Sequence, residues 1–457
     1  SKAHNNNLIK LQKKYNFDFF TSPSCLAMPS QLTATNAFKL GIRQINSKYF
    51  LFWEHDHLFI KKVNWDIVYK SFKLGGKLSK LKLGMVGGGQ GAFIGSVHRI
   101  ASRIDDHYEL VAGSLASNPE VAHASAKELG IAEDRSYSTF LEMAEKESNL
   151  ENGIDVVAIV TPNHLHYPIA EAFLKRGIHV ICDKPLTHNL EDAEKFFECV
   201  KNSKALFALT HNYTGYPMVR QAREMCRNGS IGKLRVIQVE YAQDWLTLPI
   251  ENEGQKQASW RTDPSKAGMG GSIGDIGSHA FNLADFITGA KLTELCADIS
   301  NFVEGRKNDD NAHVLLRYEN GVKGMLWSSQ VAPGNENALK IRIYGDKGGL
   351  EWEQENPNYL RVDIFGEAKK IIRRAGNETT DVAGRVTRIP PGHPEGYLEG
   401  FANIYSDFAK QIHAIKNNQK IEDELLLVPS IEDGLNGVKF ISAVVESGLG
   451  GSKWLKF

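Results

Sequence analysis

Cysteine is scarce in this chain, and what there is does not cluster. The five residues, Cys25, Cys182, Cys199, Cys226 and Cys296, are scattered over 457 positions. None stand at metal-ligand or redox-pair spacing, and an odd scattered set fits a reducing compartment. No apolar run approaches the ~18 residues a membrane-crossing helix needs. The opening SKAHNNNLIK lacks the apolar core of a secretion signal, so a cytoplasmic location is expected. Net charge is absent too: Lys+Arg and Asp+Glu are 54 each. Neither nucleic acid nor a membrane surface is therefore expected as a partner. What remains is ordinary globular composition, long enough for two or three domains.

The charge is unevenly spread. Residues 1–82 carry 14 Lys/Arg against 4 Asp/Glu, and 13 of the 43 aromatics. That break marks residues 1–80 as a basic, aromatic-rich N-terminal extension, with Gly75 and Gly76 as its linker. Within it, YFLFWEHDHLFI (Tyr49 to Ile60) reads as two apolar strands about a polar turn. Glu54, His55, Asp56 and His57 could gather a divalent metal, although a polar turn between buried strands accounts for them more simply. A strand ending in an acidic turn weakly resembles the metal-binding loop of nucleotide-sugar glycosyltransferases, but 80 residues are too few for such an enzyme's nucleotide-binding half.

From residue 81 the pattern changes. KLKLGMVGGGQGAFIG (Lys80 to Gly95) has the order strand, tight turn, helix. Gly87, Gly89 and Ala92 fit G-x-G-x-x-G/A, the turn that brings backbone N–H groups and a helix N-terminus to a pyrophosphate. Buried strands follow at IDVVAIV (Ile154 to Val160), ending in Thr161-Pro162-Asn163-His164-Leu165-His166, and at IHVIC (Ile178 to Cys182), ending in Asp183-Lys184-Pro185. Near-continuous β-branched runs suit parallel strands covered on both faces. Polar residues just beyond them sit where open α/β sheets bind ligands. After the second strand, YELVAG, there is neither an acid for a ribose hydroxyl nor a cation for a 2′-phosphate; Ser114 and Ser117 could serve either, and NAD versus NADP stays open. Residues 81–210 are thus expected to form a doubly wound, Rossmann-type parallel sheet. Residues 211–457, rich in strand and turn signals, are expected to be an α+β substrate and oligomerisation domain with a large open, mostly antiparallel sheet. Helices near Leu398 to Lys416 and Ser430 to Glu446 should return to pack on the cofactor domain.

The glycine turn, Thr161-Pro162-Asn163 with His166, Asp183-Lys184-Pro185, and GMGGSIGDIGSH (Gly268 to His279) together resemble the Gfo/Idh/MocA oxidoreductases. The match runs from about Lys82 to the C-terminus, with Asp183 where the family usually has Glu. The resemblance implies a bound NAD or NADP and hydride transfer to or from a secondary alcohol of a sugar, sugar derivative or cyclitol. Its implied cofactor contacts are Gly87, Gly89, Gln90, Ala92, Phe93 and Ile94 at the turn, Ser114 and Ser117 after the second strand, and Thr161, Pro162, Asn163, His166, Asp183, Lys184 and Asn212 at later strand ends. Lys184 would hold the reacting oxygen, His279 would be the acid–base group, and Asp275 would orient His279 or substrate.

Candidate substrate contacts are Tyr213, Asp244, Trp245, Arg261 and His393. The resemblance implies no metal in these domains and a homo-oligomer, a dimer or tetramer through the open sheet. Two other activities known among such proteins stay open: an NAD-dependent glycosidase working by transient oxidation and elimination, and a non-catalytic dinucleotide-binding regulator.

Overall fold

The computed structural model describes residues 49–54, 57–62 and 79–457. The chain divides into two compact units, Ser1–Leu78 and Ser79–Phe457. In the first, Tyr49–Glu54 and His57–Lys62 pair antiparallel and close at Glu54 and His57. His55 and Asp56 lie outside the described residues, and with them the metal-turn reading.

The second unit opens with five parallel strands: β1 (Leu81–Gly87), β2 (Tyr108–Ser114), β3 (Val156–Val160), β4 (His179–Cys182) and β5 (Phe207–Leu209). Their order is β2-β1-β3-β4-β5. Beyond β2 the sheet is continued by a single parallel bridge from Gly113 to Ser136. Taking that bridge as a vestigial third strand gives the 3-2-1-4-5-6 order of a dinucleotide-binding fold. On β3, Val157 and Ile159 enter one core cluster while Val156, Ala158 and Val160 enter another. Both faces are covered, which is why the strand is apolar throughout.

The first turn corrects the glycine reading in one respect. Gly87 and Gly88 have φ of 81° and 75°, a conformation that favours glycine. Helix α1 (Phe93–Ile104) has Ala92 only as its N-cap. The position that must be small for helix and strand to meet is Gly95, where a Cβ would lie 2.4 Å from Gly88 Cα and 2.6 Å from Gly88 O. The turn runs on through Gly91, at φ 73°, and the helix begins only at Phe93, so the close approach falls three residues beyond Ala92. Gly95→Ala is expected to destabilise the protein by about 1–3 kcal/mol and, because Gly88 must give way, to weaken NADH binding. Thermal melting and a fluorescence titration with NADH read the two effects separately.

The rest of the unit is built on a nine-stranded sheet. Its strands are β6 (Leu234–Ala242), β7 (Leu292–Ser300), β8 (Asn311–Tyr318), β9 (Lys323–Ser329), β10 (Ala338–Gly345), β11 (Gly348–Glu353), β12 (Tyr359–Ile364), β13 (Lys370–Arg373) and β14 (Leu455–Lys456). The order is β13-β12-β11-β10-β6-β9-β8-β7-β14, antiparallel throughout except for the β6–β9 pair. Alternate residues, such as Ile237, Val239 and Tyr241 on β6, face a core shared with helices α6 (Pro217–Arg227) and α7 (Ser278–Thr288), which follow α2 (Pro119–Glu128), α3 (Phe140–Asn149), α4 (His166–Leu174) and α5 (Leu190–Lys201) in the chain. Helix α8 (Tyr397–Lys416) places Phe401, Ile404, Tyr405, Phe408 and Ile412 against one face of the parallel sheet, an i, i+3, i+4, i+7 stripe. Helix α9 (Ile431–Leu449) puts Ile431, Leu435 and Val438 in one core cluster and Phe440, Val444 and Val445 in another.

Candidate active site

Strand direction gathers the polar side chains. Because β6 and β9 are parallel, Tyr241 and Gln243 leave the end of one beside Gln330 leaving the end of the other. β10 runs the opposite way and starts there, just after Asn337. The carboxyl ends of β4 and β5 deliver Asp183, Lys184 and Thr210. Between these two sets lies a cavity of ≈ 700 Å³, lined by Lys184, Asp275 and His279 and by Tyr213, Trp245 and Arg261.

Lys184 Nζ donates to Asp275 Oδ1 at 2.9 Å and also to the Asp275 backbone carbonyl. The other carboxylate oxygen, Oδ2, accepts from Gln330 Nε2 at 2.9 Å and from Arg261 Nε at 3.2 Å. Burial alone would raise the Asp275 pKa. The two cations, Lys184 and Arg261, overcome it and hold the carboxyl below its usual range. Asp275 is therefore a fixed anion, and its oxygens are committed to Lys184, Arg261 and Gln330. Asp275 was expected to orient His279 or substrate; none of the described hydrogen bonds joins it to His279, on which it acts through its charge, and Asp275 itself lies in a π-turn at Ile273–Gly277.

His279 is buried, its ring 4.8 Å from that of Tyr213 and 5.4 Å from that of His211. Its Nδ1 has no hydrogen-bond partner among the described residues. Burial, then Lys184 and His211, push its pKa well below the ordinary imidazole value. The ring is neutral at pH 7 and able to accept a proton. His211, which sequence reasoning missed, is pushed down to about 3 by burial and Lys184.

A chain of polar contacts forms the far wall. Tyr213 and Tyr241 share a hydroxyl hydrogen bond of 2.6 Å, and Tyr241 donates to Asn337 Oδ1 at 2.6 Å. Gln243 Nε2 reaches the same oxygen at 2.8 Å, and its Oε1 accepts from Trp245 Nε1 at 3.0 Å. The Arg261 guanidinium lies 4.3 Å from the Trp260 ring and 5.9 Å from that of Trp245. Tyr241, Gln330 and Asn337 carried no individual sequence signal; strand pairing assembles them with Gln243.

The expected cofactor residues fall into three groups. Gly89, Gln90, Ala92 and Phe93 line a second cavity of ≈ 380 Å³ that also holds Arg99. Helix α1 starts beside it with no side-chain cap and no acid in its first turn, which leaves its N–H groups to an anion. Phe93, Ile94, Asp183, Lys184 and Asn212 line the main cavity. The Thr161 hydroxyl and the Asn212 amide nitrogen are buried without partners among the described residues, as suits a site that takes a polar ligand. These observations fit a dinucleotide.

In the third group, His166, Asn163 and Pro162 serve the frame. His166 has Pro185 O and Thr161 O at 2.9 Å from its two ring nitrogens, so neither is free for a cofactor. Asn163 Nδ2 donates to Ala267 O, and Pro162 caps the short turn behind it. Asp183 accepts from Thr210 Oγ1 and the Lys184 N–H, both at 2.9 Å. Burial would raise its pKa, but His98 and Lys184 bring it down to about 2. Ser114 is buried at the end of β2 and Ser117 is exposed just before the next helix. Two expected substrate residues do not line the cavity: Asp244 turns to accept from the Gly334 N–H, and His393 is exposed on a loop whose carbonyl is held by Arg374.

Residues 81–222 match the oxidoreductase family with an NAD-binding Rossmann fold, and residues 219–351 match the GFO/IDH/MocA C-terminal domain. An uncharacterised oxidoreductase of Bacillus subtilis (strain 168), YfiI, is 34% identical over 385 residues, 82% of this chain and 97% of that protein. The chain belongs to the Gfo/Idh/MocA oxidoreductases. Among solved structures, this Gfo/Idh/MocA protein is 55% identical to an oxidoreductase from Sinorhizobium meliloti, with a TM-score of 0.76 over 83% of this chain and all (100%) of that one. It is 33% identical to an inositol dehydrogenase homologue from Azotobacter vinelandii complexed with NAD+, with a TM-score of 0.79 over 83% and 98% of the two chains. A structure of an inositol dehydrogenase homologue from Azotobacter vinelandii complexed with NADH and myo-inositol is also similar, at 31% identity and a TM-score of 0.76 over 83% and 98% of the two chains. The family is one of NAD-binding oxidoreductases, and the cavity holding Lys184 is this member's candidate active site.

Proposed function

We propose that this enzyme moves a hydride between a nicotinamide dinucleotide and a secondary alcohol of an uncharged sugar or cyclitol. The observation that carries the reading is the Lys184–Asp275 pair beside a neutral, buried His279 in one cavity. The nicotinamide, when bound, supplies the hydride acceptor or donor. Lys184 donates a hydrogen bond to the reacting oxygen and stabilises the charge that grows on it. His279 takes the hydroxyl proton during oxidation and returns it during reduction. Asp275 fixes the position of the Lys184 ammonium.

The substrate's lack of charge follows from the lining. The two cations there, Lys184 and Arg261, both bond to Asp275, and Asp183 and Glu336 also line the cavity, so a phosphate or carboxylate meets no excess of positive charge. Most of the other polar groups are amides and phenols, including Gln243, Asn337, Gln354 and Tyr241, which suit hydroxyl groups. Trp245 supplies a flat apolar face. The myo-inositol complex of the Azotobacter vinelandii homologue supports the same substrate class.

Absorbance at the reduced-nicotinamide band, with a panel of sugars and cyclitols each tested beside its phosphate or carboxylate form, checks the reading. Turnover of neutral members is expected. Preference for the charged form of each pair, or glycoside cleavage without net cofactor reduction, would sink it. A homo-oligomer is part of the same reading. Its support is the uncovered face of the nine-stranded sheet, where Leu315, Met325 and Tyr344 are 55%, 42% and 42% exposed. A cytoplasmic location is also part of it, supported by four described cysteines that all stand as free thiols.

A further inference from the structure

The segment that carries Asp275 and His279 starts at Gly270-Gly271-Ser272, a stretch with little side-chain mass to anchor it. The anchor comes from elsewhere in the chain. Asp309, just before β8, is buried, and its carboxylate accepts from the Gly271 N–H at 2.7 Å, Ser272 Oγ at 2.7 Å and the Ile273 N–H at 2.9 Å. The Ser272 N–H donates to the Asp309 backbone carbonyl at 2.8 Å. The approach is close: a Cβ on Gly271 would fall 2.0 Å from Asp309 O. A carboxylate from a loop remote in sequence thus caps this helical turn, a role usually taken by the residue just before a helix.

Two residues past this cap, Asp275 holds Lys184 through its backbone carbonyl as well as its carboxylate. The position of the lysine ammonium therefore depends on the path of the main chain at this turn, and that path is set by Asp309. Burial raises the Asp309 pKa, while the three donors favour its charged form.

We propose that Asp309 is a positioning residue: it pins the first turn of the Asp275–His279 segment and so sets where the Lys184 ammonium stands. The proposal rests on the reading of Lys184 given above, and one of its tests needs no turnover. Asp309→Ala, Asp309→Asn and the milder Ser272→Ala are compared with the wild-type full chain. In Asp309→Ala, kcat for polyol oxidation per NADH-binding site is expected to fall by about 10²-fold, as misplacement of a reacting group does, with little change in the NADH dissociation constant. Asp309→Asn should fall between it and wild type, and Ser272→Ala, which removes one of the three donors, should lose least.

The second readout is acetylation of Lys184 by acetic anhydride, followed by peptide mass spectrometry. Freed from one charge-assisted hydrogen bond, Lys184 should label about tenfold faster in Asp309→Ala, while exposed Lys195 labels as before. An unchanged kcat per binding site together with unchanged Lys184 labelling, in any Asp309 variant that binds NADH, overturns the proposal. Faster labelling in the variant, when the wild type oxidises no polyol, would retain the role of Asp309 and reject the proposed activity.

Discussion

Lys184→Ala is expected to lower kcat/KM for polyol oxidation by about 10²–10³-fold, the effect of removing one donor to a developing oxyanion. The fold should survive the change. The side chain is 14% exposed at the cavity wall, and Asp275 keeps Arg261 and Gln330 as partners, so no buried charge is orphaned. NADH binding should persist, because the glycine turn and the free N-terminus of α1 are untouched. Lys184→Arg should not restore activity, since a planar guanidinium cannot place one compact charge at the same point. Steady-state kinetics beside an NADH titration tests this. A kcat/KM within an order of magnitude of wild type would show that Lys184 does not carry the oxyanion.

The second large effect is expected at His279. His279→Asn should lower kcat/KM by about 10²–10⁴-fold, the usual worth of a positioned acid–base group. The pH profile gives a sharper test. Oxidation needs the neutral ring, which exists above the His279 pKa. Burial, Lys184 and His211 depress that pKa, so the acid limb of kcat/KM should lie below the value near 6.5 of a free imidazole. In Lys184→Ala one depressing cation is gone and the attraction of Asp275 remains, so the limb of the residual activity should move to higher pH. A limb that stays put on removal of Lys184, or that persists in His279→Asn, would assign the titration to another group.

The sequence was most informative where a residue's job is local. The apolar run of β3 announces a strand covered on both faces, and Lys184 stands out because a charge directly follows a buried strand. The Asp275 and His279 pair was legible as a spacing, but the π-turn that hands Asp275 to Lys184 was not, since it depends on how the glycines settle against Asp309. Gly95 was passed over for Ala92 because the motif counts residues, whereas the contact depends on where the helix starts. Tyr241, Gln243, Gln330 and Asn337 meet only through the pairing of β6, β9 and β10, and no single stretch encodes that meeting. Asp244 and His393 were expected at the site for their chemistry; the turns that hold them lead their side chains elsewhere.

Helix α8 has a consequence for the integrity of the polypeptide. Its Phe401, Ile404, Tyr405, Phe408 and Ile412 close one face of the parallel sheet, although nearly 200 residues separate them from the last parallel strand. At about 1.5–3 kcal/mol for each buried side chain, that stripe is worth roughly 10 kcal/mol, comparable to the whole net stability of a typical domain. The nucleotide-binding half is therefore no freestanding cassette. A recombination breakpoint or protease cut placed after β5 would strip the lid from its own hydrophobic floor, so the two halves of this enzyme can be exchanged between relatives only if the final helices travel with the first half.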